Sequence, residues 1–316
     1  EQSPSALLEN LDPKNADVPP DPGWHAAILV GSGETRTVED RVPAVVGEER
    51  LTGGAATIQN QLTDPATAFI GGRLGVRVLD EQATGLPPLL RGNLVHDALY
   101  QLYFDRPTRD ELAAWTDVAQ RISKAVDFAF AKHEKQTDDV LRGLLSLERE
   151  RVAGLLHEFL AVDVEREGFS VVDVERKLEL AEAGVRIELR IDRVDRLAGG
   201  GLAIIDYKTG AEKHFLDSKG SPREIQLVAY ACALDDPVAA LALANVDSRV
   251  VGFRGAGEGF GAADDWDARL GGWSEIVRDA CRRIAAGDIS INKRQSVDDA
   301  RPLNLLSRFT ELRNEW

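Results

Sequence analysis

Methionine is missing from all 316 residues, and cysteine occurs only twice. Cys232 and Cys281 each fall in an apolar stretch with helical spacing. They are read as two buried free thiols rather than as a disulfide or a metal site. Long apolar runs are absent too: none approaches the roughly 20 residues that cross a bilayer, and no secretory signal opens the chain. A cytoplasmic protein with no membrane partner is expected. Positive charge is scarce, with 38 Lys and Arg against 53 Asp and Glu, a net charge of −15. That balance argues against a protein that coats nucleic acid through phosphate contacts alone. It still allows a cluster of carboxylates holding cations, beside a locally basic groove. A first residue of Glu1 suggests a piece of a longer protein, while the missing internal methionines have no physical explanation in the sequence.

What is present is ordinary for a globular chain: 43% hydrophobic and 29% charged residues, enough to bury a sizeable core. Residues 1–50, with Pro19, Pro20 and Pro22, read as a linker or loosely packed lead-in. Residues 51–316 read as one domain, with a helical part over about 90–167, an α/β core over about 168–290 and a tail over 291–316. Within it, 53–80 is partly helical, and a helix begins after Gly92, where Leu94, Val95, Ala98, Leu99 and Leu102 recur at helical spacing. Helical periodicity continues from Pro107 to about Arg166, with a break near Gln136-Thr137-Asp138. At Gly168 the texture changes. Stretches 169–180, 185–197 and 201–208 are rich in β-branched residues and punctuated by Gly184 and by Gly199-Gly200-Gly201. A helix over 222–234, a strand over 239–254 and a helix over 265–287 follow. The pattern predicts an α/β fold, with a helical insertion ahead of the core strands.

Chemistry concentrates in Ala203-Ile204-Ile205-Asp206-Tyr207-Lys208. Alternate side chains of a strand share a face, so Asp206 and Lys208 point the same way, with Leu202 and Ile204 before them. A strand apolar on both faces is interior, and a carboxylate and an ammonium at its end need partners. Taken alone the pair reads as a strand-end ion pair. Asp192 changes that reading, because a hairpin across the triple glycine can set it beside Asp206. Two adjacent carboxylates repel unless a cation lies between them, and hard oxygen ligands select Mg²⁺ or Mn²⁺. Lys208 is then placed to orient a water or to stabilise charge on a phosphate.

These residues resemble the PD-(D/E)xK nuclease superfamily, and within it the RecB/AddB-like branch. The stretch VERKLEL…RIDRVDRL…GGLAIIDYKTG resembles the core signature of that branch, Arg91–His96 its G-x-x-x-H helix, and Gln226–Tyr230 its Q-x-x-x-Y helix. The resemblance implies a restriction-endonuclease-like core, a mixed central sheet flanked by helices. It also implies a metal-dependent nuclease acting on DNA ends or single strands in repair or recombination, often beside a helicase. His96, Asp192, Asp206 and the Tyr207 main-chain carbonyl would surround the metal, and Lys208 would be catalytic. Gln226, Tyr230 and Glu175 would support the site and the strand, and Tyr230 could also stack on an unpaired base. Each has a blander reading: a core histidine for His96, a packing pair for Gln226 and Tyr230, a solvated strand residue for Glu175. Arg190, Arg193 and Asp195 read as salt-bridging strand residues.

Two departures stand out. Relatives that carry an iron–sulfur cluster hold it with four cysteines. The matching positions here are Asp64, Ser307, Thr310 and Trp316, so no cluster is expected. Leu189 stands where relatives commonly have glycine and could narrow the site. The competing expectation is a weak or inactive nuclease-fold module that binds DNA or a helicase partner. An RNA substrate is a third.

Overall fold

The structure, a computed structural model, describes residues 42–77, 85–131, 133, 139–261 and 264–290, the side chains of 139–141 excepted. It opens with strand β1 (Glu49–Leu51), helix α1 (Ala55–Thr63) and the single turn α2 (Pro65–Ala68), which runs into a π-helical turn over Phe69–Arg73. Helix α3 (Pro88–Leu102) starts on a proline, whose missing N–H costs nothing in a first turn. The helix therefore begins ahead of Gly92 rather than after it. Gly92 sits inside, where a Cβ would meet Thr209 Oγ1 at 3.1 Å, so the glycine lets the helix approach the end of a core strand. Helices α4 (Arg109–Ala113), α5 (Val118–Phe130) and α6 (Asp139–Val164) complete the predicted insertion. Thr108 and Glu111 form a reciprocal capping box at the start of α4.

The core strands are β2 (Phe169–Glu182), β3 (Val185–Leu197) and β4 (Leu202–Lys208). Ala183 and Gly184, both at positive φ, make the tight turn between the first two. Helix α7 (Gln226–Cys232) is shorter than predicted, because Arg223 N–H is already bonded to Phe215 O. The single strand predicted over 239–254 is two, β5 (Val238–Asp247) and β6 (Val250–Gly257). Asp247 Oδ1 accepts from Arg249 N–H at 3.2 Å and Nε at 2.8 Å and holds the turn between them. Helix α8 (Trp266–Ala285) follows.

These strands form one mixed sheet. β2 lines one edge of β3 along nearly its whole length, antiparallel. The opposite edge of β3 is shared: β4 pairs antiparallel over Arg193–Arg196, and β1 pairs parallel over Val185–Ile187. Between those segments, residues 188–192 face a notch. β4 continues past the notch on its other edge, parallel to β5, which pairs antiparallel with β6. The late part of the expected lead-in is tied down, since Val42 N–H bonds Gly287 O, Val45 N–H bonds Ala285 O, and Glu49–Leu51 add the strand β1. Residues 1–41 of that stretch lie outside the described residues.

Helices cover both sheet faces. Ala203, Ile205 and Tyr207 join α3, α5 and α6 in one core, while Leu202 and Ile204 join α1, α7 and α8 in the other. Along β3, alternate burial over Val185–Ile191 gives way to unbroken burial over Ile191–Asp195, as it must where both faces become covered. Arg193 lies there fully buried, paired with Asp195 (Nε–Oδ1 2.6 Å) and with Asp163 of α6 (2.8 Å), as a salt-bridging strand residue should be. Arg166 closes the cluster at 2.9 Å from Asp195. Among the described residues, no helix is long and apolar enough to cross a membrane.

Candidate active site

The notch opens into a cleft of about 900 Å³, walled by α1, α3, β3, the end of β4 and the start of α7. Every site residue expected from the sequence lines it: His96, Glu175, Asp192, Asp206, Tyr207, Lys208, Gln226 and Tyr230. The register explains their meeting. Arg193 opposes Ile205, the last such pair, so Asp192 and Asp206 follow where β3 and β4 diverge. Asp192 Oδ2 accepts the Tyr207 N–H at 2.7 Å, which fixes that carboxylate across the gap. The N–H and C=O of one strand residue leave on the same edge, so the Tyr207 carbonyl faces the notch as well.

His96 Nδ1 lies 3.4 Å from Asp192 Oδ1. Burial lowers the His96 pKa, but the Asp192 bond and charge, with Asp206 and Glu175 behind them, outweigh it and leave the imidazole above its ordinary value. Donor atoms of His96, Glu175 and Asp192 all lie within 4.8 Å of one another. Glu175 reaches this position from a strained backbone, φ 52°, a conformation rare for a non-glycine residue. Its carboxylate is bonded to Arg190 at 2.8 Å, and burial followed by the Asp192 charge raises its pKa.

Asp206 turns toward the ammonium. Lys208 Nζ forms an ion pair with Asp206 Oδ2 at 2.9 Å, and that buried oxygen accepts no further hydrogen bond. Burial, then the Asp192 charge, pushes the Asp206 carboxyl up to about 7. Lys208 has two further partners, Gln226 Oε1 at 2.8 Å and Glu224 Oε2 at 3.1 Å. Gln226 Nε2 in turn donates to Tyr230 OH at 2.6 Å. The Tyr230 ring is only 3% exposed and packed in the second core, which removes the base-stacking role considered for it. Glu224 was not expected from the sequence. It lies in the irregular segment before α7, and only the fold brings it to Lys208.

The donor set fits a divalent cation. His96, Glu175 and Asp192 bring donor atoms together, Asp206 lines the same notch beside the Lys208 ammonium, and hard oxygen donors suit Mg²⁺ or Mn²⁺. Leu189 lines the cleft but is 4% exposed and packed in the second core. Of the positions matching cluster cysteines, Asp64 is buried and accepts a hydrogen bond from Thr67, while Ser307, Thr310 and Trp316 lie outside the described residues. Both cysteines are free; Cys281 is buried and Cys232 half-buried.

The family model described as the PD-(D/E)XK nuclease superfamily matches residues 62–296. The chain belongs to that superfamily. The six-stranded mixed sheet between helices is the restriction-endonuclease-like α/β fold of PD-(D/E)XK nucleases. Membership makes the chain a nuclease by family, with nucleic acid as its substrate class and phosphodiester hydrolysis as its reaction class. Among solved structures, one from Eubacterium rectale, provisionally titled an exonuclease, is 12% identical, with 80% of this chain and 91% of that one covered and a TM-score of 0.44. The structure of SSO0001 is 15% identical, with 72% and 84% covered and a TM-score of 0.22. No curated protein matches.

Proposed function

We propose that this PD-(D/E)XK nuclease hydrolyses phosphodiester bonds in DNA, at ends or in single strands, as a RecB/AddB-like domain in repair or recombination. It works in the cytoplasm, beside a helicase or the helicase-like remainder of a longer chain. The observation that carries the reading is the meeting of Asp192, Asp206, Lys208 and His96 in one cleft, with Asp206 Oδ2 buried and paired with the Lys208 ammonium. His96, Asp192, Asp206 and the Tyr207 carbonyl would hold Mg²⁺ or Mn²⁺, with Glu175 beside them. Such an ion, when bound, lowers the pKa of water and neutralises charge on the scissile phosphate.

The side chains supply the rest. Tyr207 N–H keeps the Asp192 carboxylate aimed into the notch. Asp206 and Glu224 keep Lys208 charged, outweighing the lowering by burial, and Gln226 Oε1 holds it at the cleft. That ammonium orients the attacking water or stabilises the charge gathering on phosphorus. Tyr230 steadies Gln226 from behind.

Cleavage of a labelled single-stranded oligonucleotide in Mn²⁺ tests this. Lys208→Ala should lower the rate by about 10²–10³-fold, the loss typical of one transition-state donor, with Mn²⁺ binding by calorimetry retained. Equal cleavage by both proteins places the chemistry elsewhere. No cleavage by the native protein in either metal, with the strand still bound, would favour a binding module.

A further inference from the structure

Beyond the catalytic cleft, three aromatic rings meet at the surface. Tyr100 packs against Phe104 with centroids 5.5 Å apart and against Phe128 at 6.0 Å. Phe104 is 51% exposed and Phe128 49%. Other large exposed apolar residues, such as Val46 and Leu147, need no explanation singly, but contiguous exposed rings do. A second cleft of about 660 Å³ is lined by Tyr100 and Phe128, with Phe104 beside it, and by Lys177, Asp97, Glu175 and Arg190, of which the last three also line the catalytic cleft. The two clefts thus adjoin at those three residues, two of which, Glu175 and Arg190, are ion-paired. Tyr100 follows His96 by one turn of α3, so the shelf and the catalytic histidine share a helix face about 6 Å apart.

We propose that Tyr100, Phe104 and Phe128 form a stacking shelf for unpaired bases of the strand whose phosphate lies in the notch. The inference rests on the nuclease reading and specifies its substrate as single-stranded. Aromatic faces accept any base, which suits a sequence-tolerant enzyme. Among the described residues Lys177 forms no ion pair, and it stands at the rim with Arg190 to meet backbone phosphates. Asp97 and Glu175 line the same cleft and oppose phosphate there, so the bases rather than the backbone must supply the attraction.

Fluorescence anisotropy of a labelled oligothymidylate, in Ca²⁺ to neutralise the carboxylates, tests it. Phe128→Ala should weaken binding by about 5–150-fold, the range for one lost base stack, and Phe128→Trp should restore it. Tyr100→Ala should act in the same direction. For the native protein, an abasic strand of equal length should bind at least as weakly as the oligothymidylate binds Phe128→Ala. Binding of Phe128→Ala within twofold of native, equal affinity for abasic and normal strands, or no binding by the native protein would overturn the shelf. Hydrolysis of the same strand in Mn²⁺ is read separately, so failure of the nuclease reading is distinguishable from failure of the shelf.

Discussion

Asp206 is the residue where the site is most out of balance. Burial and the Asp192 charge hold its carboxyl near a pKa of about 7, against roughly 4 in an unfolded chain. The folded protein therefore keeps a proton that the unfolded chain has already released. Stability from this group is fully present below about pH 4 and is lost as pH rises through about 7. In metal-free buffer with a chelator, Asp206→Asn should melt with the native protein at pH 4 and above it at pH 8. The cost it relieves is on the order of a few kcal/mol at most, since a tenfold change in an ionisation constant is worth about 1.4 kcal/mol. Thermal melts across that range check it, and parallel curves at every pH would mean that the carboxyl titrates normally. Lys208, one alternate position along the same strand, shows why the site tolerates such a group: a cation already pairs with it.

At the scale of elements, β3 carries the argument, since its two halves do different work. Arg193 locks it to α6 through Asp163, with Asp195 as a second acceptor and Tyr103, just past the end of α3, bonded to the same Asp163 at 2.7 Å. Removing the guanidinium leaves two buried carboxylates to share Arg166 as their remaining countercharge. Arg193→Ala should cost about 3–5 kcal/mol, lowering Tm by on the order of 10 °C. An unchanged melt would show that water reaches the cluster. Much of this element logic was legible in the sequence. The period-2 faces of Leu202–Lys208, the glycine turns and the helical insertion all follow from local pattern, as does the hairpin that brings Asp192 near Asp206. What local pattern could not reveal were features set by the partner element. Gly92 sits inside helix α3 because it serves a strand end distant in sequence. The β5–β6 turn spans only Ser248 and Arg249, too short to break the strand pattern on either side, and is held by one Asp247 side chain. Glu224, and the meeting of Tyr100 with Phe128, arise only when segments far apart in sequence pack together.

For the whole molecule, the net charge of −15 and the notch in the sheet are two sides of one arrangement. Layers on both faces bury the strands, and the sheet is interrupted where β1 and β4 share an edge of β3, so polar groups can gather inside without breaking the core. Those groups are mostly acids, and their mutual repulsion is a cost of folding that a bound cation would remove. A ligand that binds only the folded state stabilises it by RT ln(1 + [L]/Kd), about 2.7 kcal/mol at a hundredfold excess over Kd. Saturating Mn²⁺ should therefore raise the Tm by about 5–10 °C. Asp192→Asn, which removes a carboxylate charge beside His96 and Glu175, should remove most of that rise. Calcium, a larger oxygen-seeking ion, should stabilise the native protein as well, whereas raising ionic strength with NaCl should not, because screening acts on exposed charges and leaves a buried pair nearly untouched. A melt that responds equally to NaCl and to Mn²⁺ would show diffuse surface repulsion in place of a built cation site.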